Sequence, residues 1–289
     1  MAPHDTAPRV RLLNRERSIL AFNRRVLAQA RRSDVPLLER LRYVCIVASN
    51  MDEFFEVRFA AALEAAVLPG SSTTRGELAE VAGEAHQLTD EQYAIFNDEL
   101  MPALAELGIV ILNHADRNAA QRKWVASFYH REVEPLLAPL GLDPAHPFPQ
   151  VANKSLNFIV QLGGADAFGR ENGIAIVKVP RVLPRVIRLP DSLVGGRQAF
   201  VLLSSVIRAH LEELFPGRTV ESFSQFRVTR DSDLDVDEDD VTNLRQALRT
   251  GLSTRHFGQA IRLEVVASCP SDLHDFLLQQ LALPEVALY

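Results

Sequence analysis

The periodicity of apolar residues changes once along this chain, at about Gly108, and that change restricts the fold more than any other feature of the sequence. Before it, apolar side chains recur at three- and four-residue steps, the spacing of helices buried on one side. Ile19, Phe22, Asn23, Val26, Leu27 and Ala30 form one such stripe. Pro36, after Asp34, suits the first turn of a second helix, continued by Leu37, Leu38, Leu41, Val44, Cys45 and Ala48. Ser49 and Asn50 read as an interruption, and a third helix is expected from Met51 to Leu68, ended by Pro69-Gly70. After the polar stretch Ser71 to Thr74, a fourth helix carries Leu78, Val81, Ala85, Leu88, Gln92, Ile95 and Glu99, with Pro102 near its end. Residues 1–107 are therefore expected to form a bundle of about four helices.

Beyond Gly108 the apolar runs shorten and become β-branched. Strands are expected at Ile109–Leu112, Asn157–Leu162, Ile174–Val179, Arg185–Leu189, Val220–Val228 and Ala260–Val266. Helical spacing lies between or beside them at Gln121–Leu137, Leu202–Leu214, Asp240–Thr250 and Ser271–Leu281. Pro135, Pro139, Gly141, Pro144, Pro147 and Pro149 read as a segment without regular structure. Interleaving of this kind predicts an α+β fold: a helical amino-terminal domain at 1–107, then an α/β head domain at 108–289 with helices on a mixed sheet.

At 289 residues and 47% hydrophobic, the chain can bury a core in each part. It has no run of eighteen apolar residues and no signal-peptide layout at its start, so no integral membrane segment is expected and a cytoplasmic location is the default. Cys45 and Cys269 read as two buried thiols of a reducing compartment, not as a disulfide. The net charge of −6 is uneven: residues 1–58 carry +4, through eleven arginines against seven acids, and the remainder carries −10. The amino-terminal end thus offers positive potential to an anion, although arginines solvating helix faces have the same appearance.

Asn50 is the first candidate site residue. Placed before Met51-Asp52-Glu53, it fits an N-cap, with Glu53 reaching back as in a capping box; the same position would also let its amide meet an anionic ligand beside free helix N–H groups. Asp52, Glu53 and Glu56 lie close on one helix, where acids favour the dipole and do not converge on a metal without partners from elsewhere. Phe54, Phe55 and Phe59 read as core. The acidic run Asp231–Asp240 fails as a calcium loop, with Val236 where glycine is needed and Thr242 where a bidentate glutamate is needed. Lys178, Arg181, Arg185 and Arg188 line a proline-interrupted extended stretch that suits either a phosphate chain or a charge-protected sheet edge, the second being preferred. No GxxxxGK, GxSxG or HExxH pattern occurs, and the eight histidines show no metal-ligand spacing. The residues themselves therefore point to no catalytic group and no metal site.

Several segments together resemble type 1 polyphosphate kinases. Asn14–Asn23 is similar to that family's NRELSWLAFN-like segment, with Ile19 where the tryptophan stands, and Ser49–Phe55 to its SNLDEFF-like segment. Val35–Tyr43, Val177–Pro184, Phe226–Asp235 and Ile261–Val265 are similar to further landmarks in the same order. The resemblance implies reversible transfer of the terminal phosphate of ATP to polyphosphate, with magnesium, through a phosphohistidine carried by two phospholipase-D-like domains that would follow residue 289. It implies that Asn50 contacts ATP, that the head domain supports a homodimer or higher oligomer, and that the protein is cytoplasmic or peripheral to the membrane. These 289 residues alone are expected to be inactive and to hold neither ATP nor magnesium stably. A non-catalytic interaction or dimerisation module remains the alternative. Nucleic-acid binding by the arginine-rich helices is disfavoured by the acidic bulk and the lack of a recognised motif.

Overall fold

The structure, a computed structural model, describes residues 14–67, 75–143, 146–165, 173–231 and 258–289. Pro69-Gly70, Ser71–Thr74, the acidic residues 232–240, the expected helix Asp240–Thr250, His4 and His256 lie outside the described residues.

Three helical rods build the first part. Helix α1 (Arg15–Ala28) starts at Asn14, whose side chain accepts a hydrogen bond from the Arg17 backbone N–H at 2.9 Å. It buries Leu20, Asn23 and Leu27, with Ala30 added by a 3-10 turn, Gln29–Arg31. The stripe is thus rotated from the expected one: Ile19 and Val26 flank the core, and Phe22 is 51% exposed. Helix α2 (Leu37–Glu53) runs on through Ser49 and Asn50, into a π-helical segment, Phe54–Phe59, and then α3 (Ala60–Val67). The expected break at Ser49-Asn50 is therefore absent, and Asn50 does not cap a helix; its carbonyl accepts the Phe54 N–H. The modest helix propensity of asparagine, a few tenths of a kcal/mol, is overridden by Val47, Met51, Phe54 and Phe55, whose burial carries the helix through. Cys45 faces solvent instead of the core, because Val44 and Val47 set the buried side of α2. Helix α4 (Arg75–Ala94), a second π segment (Ile95–Leu100) and α5 (Met101–Glu106) make the third rod. Among the described residues three continuous rods thus stand where four helices were expected.

The π segment after α2 explains the three phenylalanines. In an α-helix residues five apart point well away from one another, whereas i→i+5 hydrogen bonding widens the turn and brings them near alignment. Phe54, Phe55 and Phe59 all become buried, with ring centroids 5.3 to 6.1 Å apart.

Among the described residues the strands form two sheets. Strands β1 (Ile109–Ile111), β5 (Val186–Arg188) and β6 (Gln198–Leu202) make a mixed sheet in the order β1-β6-β5, parallel for β1 and antiparallel for β5. Strands β2 (Ala138–Gly141), β3 (Asn157–Gly163), β4 (Ile174–Lys178), β7 (Thr219–Arg230) and β8 (Ala260–Val265) make an antiparallel sheet in the order β2-β4-β3-β7-β8. The α+β class holds, with the strands divided between these two sheets. Strand β2 overturns the reading of Pro139 and Gly141 as excluding regular structure. It is an edge strand, where a proline can lack its N–H without breaking a ladder on both sides.

Helix α6 (Ala119–Phe128) opens with a capping box between Asn118 and Gln121 and continues as a π segment, Tyr129–Val133, and a 3-10 turn, Glu134–Leu136. Helix α7 (Leu203–Ala209) leads into the 3-10 turn Leu211–Leu214, and α8 (Ser271–Gln280) packs beyond β8. On β3, Phe158 and Val160 join the core beneath α6 and α7, while Ile159 points the other way, toward α8. Both faces of the sheet are covered, which is why β3 reads as a continuous apolar run. Ile261 of β8 and Tyr289 pack into the helical core, so the rods and the antiparallel sheet share one boundary.

Candidate functional site

Asn50 is half-buried on α2 and faces α1. Its Nδ2 donates to Asn23 Oδ1 at 2.8 Å, and Asn23 Nδ2 in turn donates to the Ile19 carbonyl at 3.1 Å. The second bond fixes the sense of the first: with its amide nitrogen committed to a carbonyl, buried Asn23 presents oxygen to Asn50. Among the described residues this is the single side-chain hydrogen bond of Asn50, which leaves its Oδ1 and one N–H free to engage a ligand. Asn23 was legible only as a member of a helical stripe; its buried polar character was the signal for its role as a positioning partner.

Two residues on, the helix faces the sheet. Asp52 receives Arg227 Nη1 and Nη2 at 3.0 and 2.9 Å and Arg262 Nη2 at 2.8 Å. Glu264 receives Arg227 Nε at 2.6 Å and Arg262 Nη2 at 3.0 Å, which closes a quartet of two acids and two arginines. Burial works against the charged form of Arg227, but Glu264 and Asp52 outweigh it and hold the guanidinium above its ordinary range. The Arg262 side chain, 3% exposed, lies over the Phe55 ring at 4.3 Å and the Tyr289 ring at 5.6 Å. Tyr289 stacks on His86 at 3.8 Å. One turn after Asp52, Glu56 accepts from Asn153 Nδ2 at 2.5 Å and from Lys154 Nζ at 2.9 Å. Asp52 and Glu56 thus tie the helical rods to the sheet, and Glu53 points to solvent. They do not converge on a metal.

The four cations of the proline-rich stretch do not form one strip. Lys178 ends β4, an interior strand, while Arg188 is on the edge strand β5 and pairs with Asp191 at 2.8 Å. Between them Arg181 donates to the Asn153 carbonyl. Burial pushes the Arg185 guanidinium below its ordinary range, with Arg181 adding to the effect. The preferred reading as a sheet edge therefore fits β5 and not Lys178. A cleft of about 520 Å³, lined by Pro139, His146, Leu162, Phe215 and Arg218 among others, opens on the head domain, and Asn50 does not line it.

Two family models match in succession: the polyphosphate kinase N-terminal domain over residues 12–112 and the polyphosphate kinase middle domain over residues 120–289. Helical rods followed by an α+β layer thus define an amino-terminal module joined to a middle domain. The chain belongs to the polyphosphate kinase family. It is 51% identical to the polyphosphate kinase of Neisseria gonorrhoeae, 50% to that of Xylella fastidiosa and 48% to that of Burkholderia vietnamiensis, over 96% of this chain in each case. It spans 42%, 40% and 41% of the lengths of those relatives. The crystal structure of polyphosphate kinase from Porphyromonas gingivalis shares the fold, with a TM-score of 0.75 at 24% identity, covering 96% of this chain and 38% of that one. No helix among the described residues is long and apolar enough to cross a membrane.

Proposed function

We propose that these residues form the amino-terminal and middle part of an ATP:polyphosphate phosphotransferase, in which Asn50 contacts the nucleotide and the head domain supports dimerisation. The observation that carries the nucleotide contact is the Asn23–Asn50 pair. Asn50 is held by one hydrogen bond at 2.8 Å and keeps an acceptor and a donor in reserve, a combination that suits the edge of an adenine base. Family membership supports ATP and polyphosphate as the substrates. The dimer rests on the family resemblance alone.

Magnesium is part of the same proposal, and the acids nearest Asn50 decide how it would enter. Asp52 and Glu56 are engaged by Arg227, Arg262 and Lys154. They are poor magnesium ligands while so paired, and the ion would arrive with the phosphates of ATP. The chain's own contribution is to orient the base and to fix the wall that carries Asn50 against the sheet; no phosphoryl-accepting residue is proposed within it.

Steady-state kinetics of Asn50→Ala in the full-length enzyme test the reading. Loss of one or two neutral hydrogen bonds, each about 1 kcal/mol, should raise KM for ATP roughly five- to thirty-fold with a smaller change in kcat. An unchanged KM would remove the nucleotide role from Asn50.

A further inference from the structure

We propose that His130, His210 and Glu213 form a site for a borderline transition metal, of which zinc is the type, in the head domain. The three residues come from two segments far apart in sequence. His130 lies in the π segment Tyr129–Val133 and Glu213 in the 3-10 turn Leu211–Leu214, with His210 at the end of α7. Core packing fixes both segments, since Tyr129 and Val133 are wholly buried on one side and Leu211 on the other. The histidines and the glutamate are left together at the rim.

Their geometry is that of a ligand set. One potential donor atom from each of the three lies within 4.8 Å of the others. His210 Nδ1 is 2.7 Å from Glu213 Oε1, and His130 Nε2 is 3.7 Å from Glu213 Oε2. A tetrahedral zinc with bonds near 2.0–2.1 Å separates its ligand atoms by about 3.4 Å, so small side-chain rotations close the set.

A second observation points the same way. His130 Nδ1 is 2.9 Å from Glu134 Oε2, one helical turn on, so this carboxylate can accept a hydrogen bond from Nδ1–H, which keeps the proton on Nδ1 and leaves Nε2 as the bare, metal-facing nitrogen. A carboxylate behind a histidine is the usual outer partner of a metal-bound imidazole, fixing both tautomer and ring. The His210 ring is fixed in another way, stacked on Tyr129 at 4.4 Å and 13°. Two imidazoles and one carboxylate favour zinc or its neighbours over magnesium, which prefers oxygen ligands and keeps its waters. Three protein ligands leave a fourth position to water. Binding would clip the end of α6 to the end of α7.

The test is calorimetric titration of the chelator-treated 289-residue chain with Zn²⁺, together with Co²⁺ absorption spectra. One equivalent should bind, with the intense visible bands of tetrahedral Co²⁺, and a large excess of Mg²⁺ should not displace it. His130→Gln, His210→Gln and Glu213→Gln should each weaken Zn²⁺ binding by roughly 100-fold or more, and Glu134→Gln by roughly 10- to 100-fold. Circular dichroism checks that each variant is folded, and His130 and Glu134 are exposed enough that theirs should be. Absence of stoichiometric binding by the unsubstituted chain overturns the proposal. So does binding that persists unchanged in folded His130→Gln and Glu134→Gln.

Discussion

The boundary between rods and sheet makes a quantitative prediction at Asp52. Asp52→Asn keeps the shape of the side chain and removes its charge. Three charge-assisted hydrogen bonds, at 2.8, 2.9 and 3.0 Å, are weakened or lost, since the new amide presents one oxygen where two accepted before. Each such bond is worth about 1.5–3 kcal/mol in isolation, but the three share one carboxylate and do not add. The Arg227 side chain is also 32% exposed, so solvent screens part of its loss. Arg262 is not relieved in this way: at 3% exposure it keeps Glu264, which already pairs with both arginines and must then balance their charge alone. The net destabilisation should be about 2–4 kcal/mol, or on the order of 5–10 °C in Tm for a domain pair of this size. Chemical denaturation of the substituted and unsubstituted chains measures it, and a cycle with Arg227→Met isolates the pairwise part, expected at about 1–2 kcal/mol. A loss below about 0.5 kcal/mol would refute the reasoning, because the quartet would then be screened as an ordinary surface pair is.

Among the described residues the buried Tyr129 hydroxyl has no hydrogen-bond partner, and burial together with Glu134 and Glu213 pushes its pKa up. Tyr129→Phe should therefore leave the fold unharmed and raise stability by about 1 kcal/mol; a loss of more than 1 kcal/mol in denaturation would reveal a partner for the hydroxyl. The two thiols should differ in reaction with a disulfide reagent. Cys45 is exposed and should react first; Cys269, whose thiol is pushed up by burial, should lag at neutral pH. The sign is fixed by the thiolate, so the lag of Cys269 should shrink as pH rises toward its raised pKa. Equal rates throughout would contradict the placement of both.

Local periodicity made the α+β class legible, and its failures were local too. Strand β6 was missed because its short apolar run leads directly into Leu203, Val206 and Ile207 of α7, so the expected helix from Leu202 absorbed its last residue and Gln198–Val201 received no assignment. Strand β2 was hidden because a proline was taken as a breaker where only its position at an edge matters. The rotated stripe of α1 shows a different limit. Phe22 is as apolar as its neighbours, and only the placement of α2 and α4 decides that Leu20 and Leu27 turn inward instead. Asp52 and Glu56 read as acids at a helix start because their partners, Arg227, Arg262, Asn153 and Lys154, lie across a domain boundary. The pairing of His130 with His210 was invisible for the same reason: metal-ligand spacing within one helix is a local signal, and this cluster is made by tertiary contact.

Asn50 was singled out partly for a reason the structure removes, and what replaces that reason makes the residue easier to study. An N-cap would have placed Asn50 and Asp52 in one capping turn, where any substitution disturbs both. On a continuous α2 they are two residues apart, about 200° around the helix axis, and so face opposite ways. Asn50 meets Asn23 of α1, and Asp52 meets the arginines of β7 and β8. Stability of the rod-to-sheet boundary and the proposed nucleotide contact therefore belong to different faces of one helix. The denaturation experiment on Asp52 and the kinetic experiment on Asn50 should respond independently, since the amide pair at 2.8 Å shares no partner with the ion quartet. Coupling between them, as a double substitution whose effects fail to add, would mean that α2 shifts as a rigid body when the quartet is lost, so that the boundary sets the position of Asn50 rather than merely supporting it.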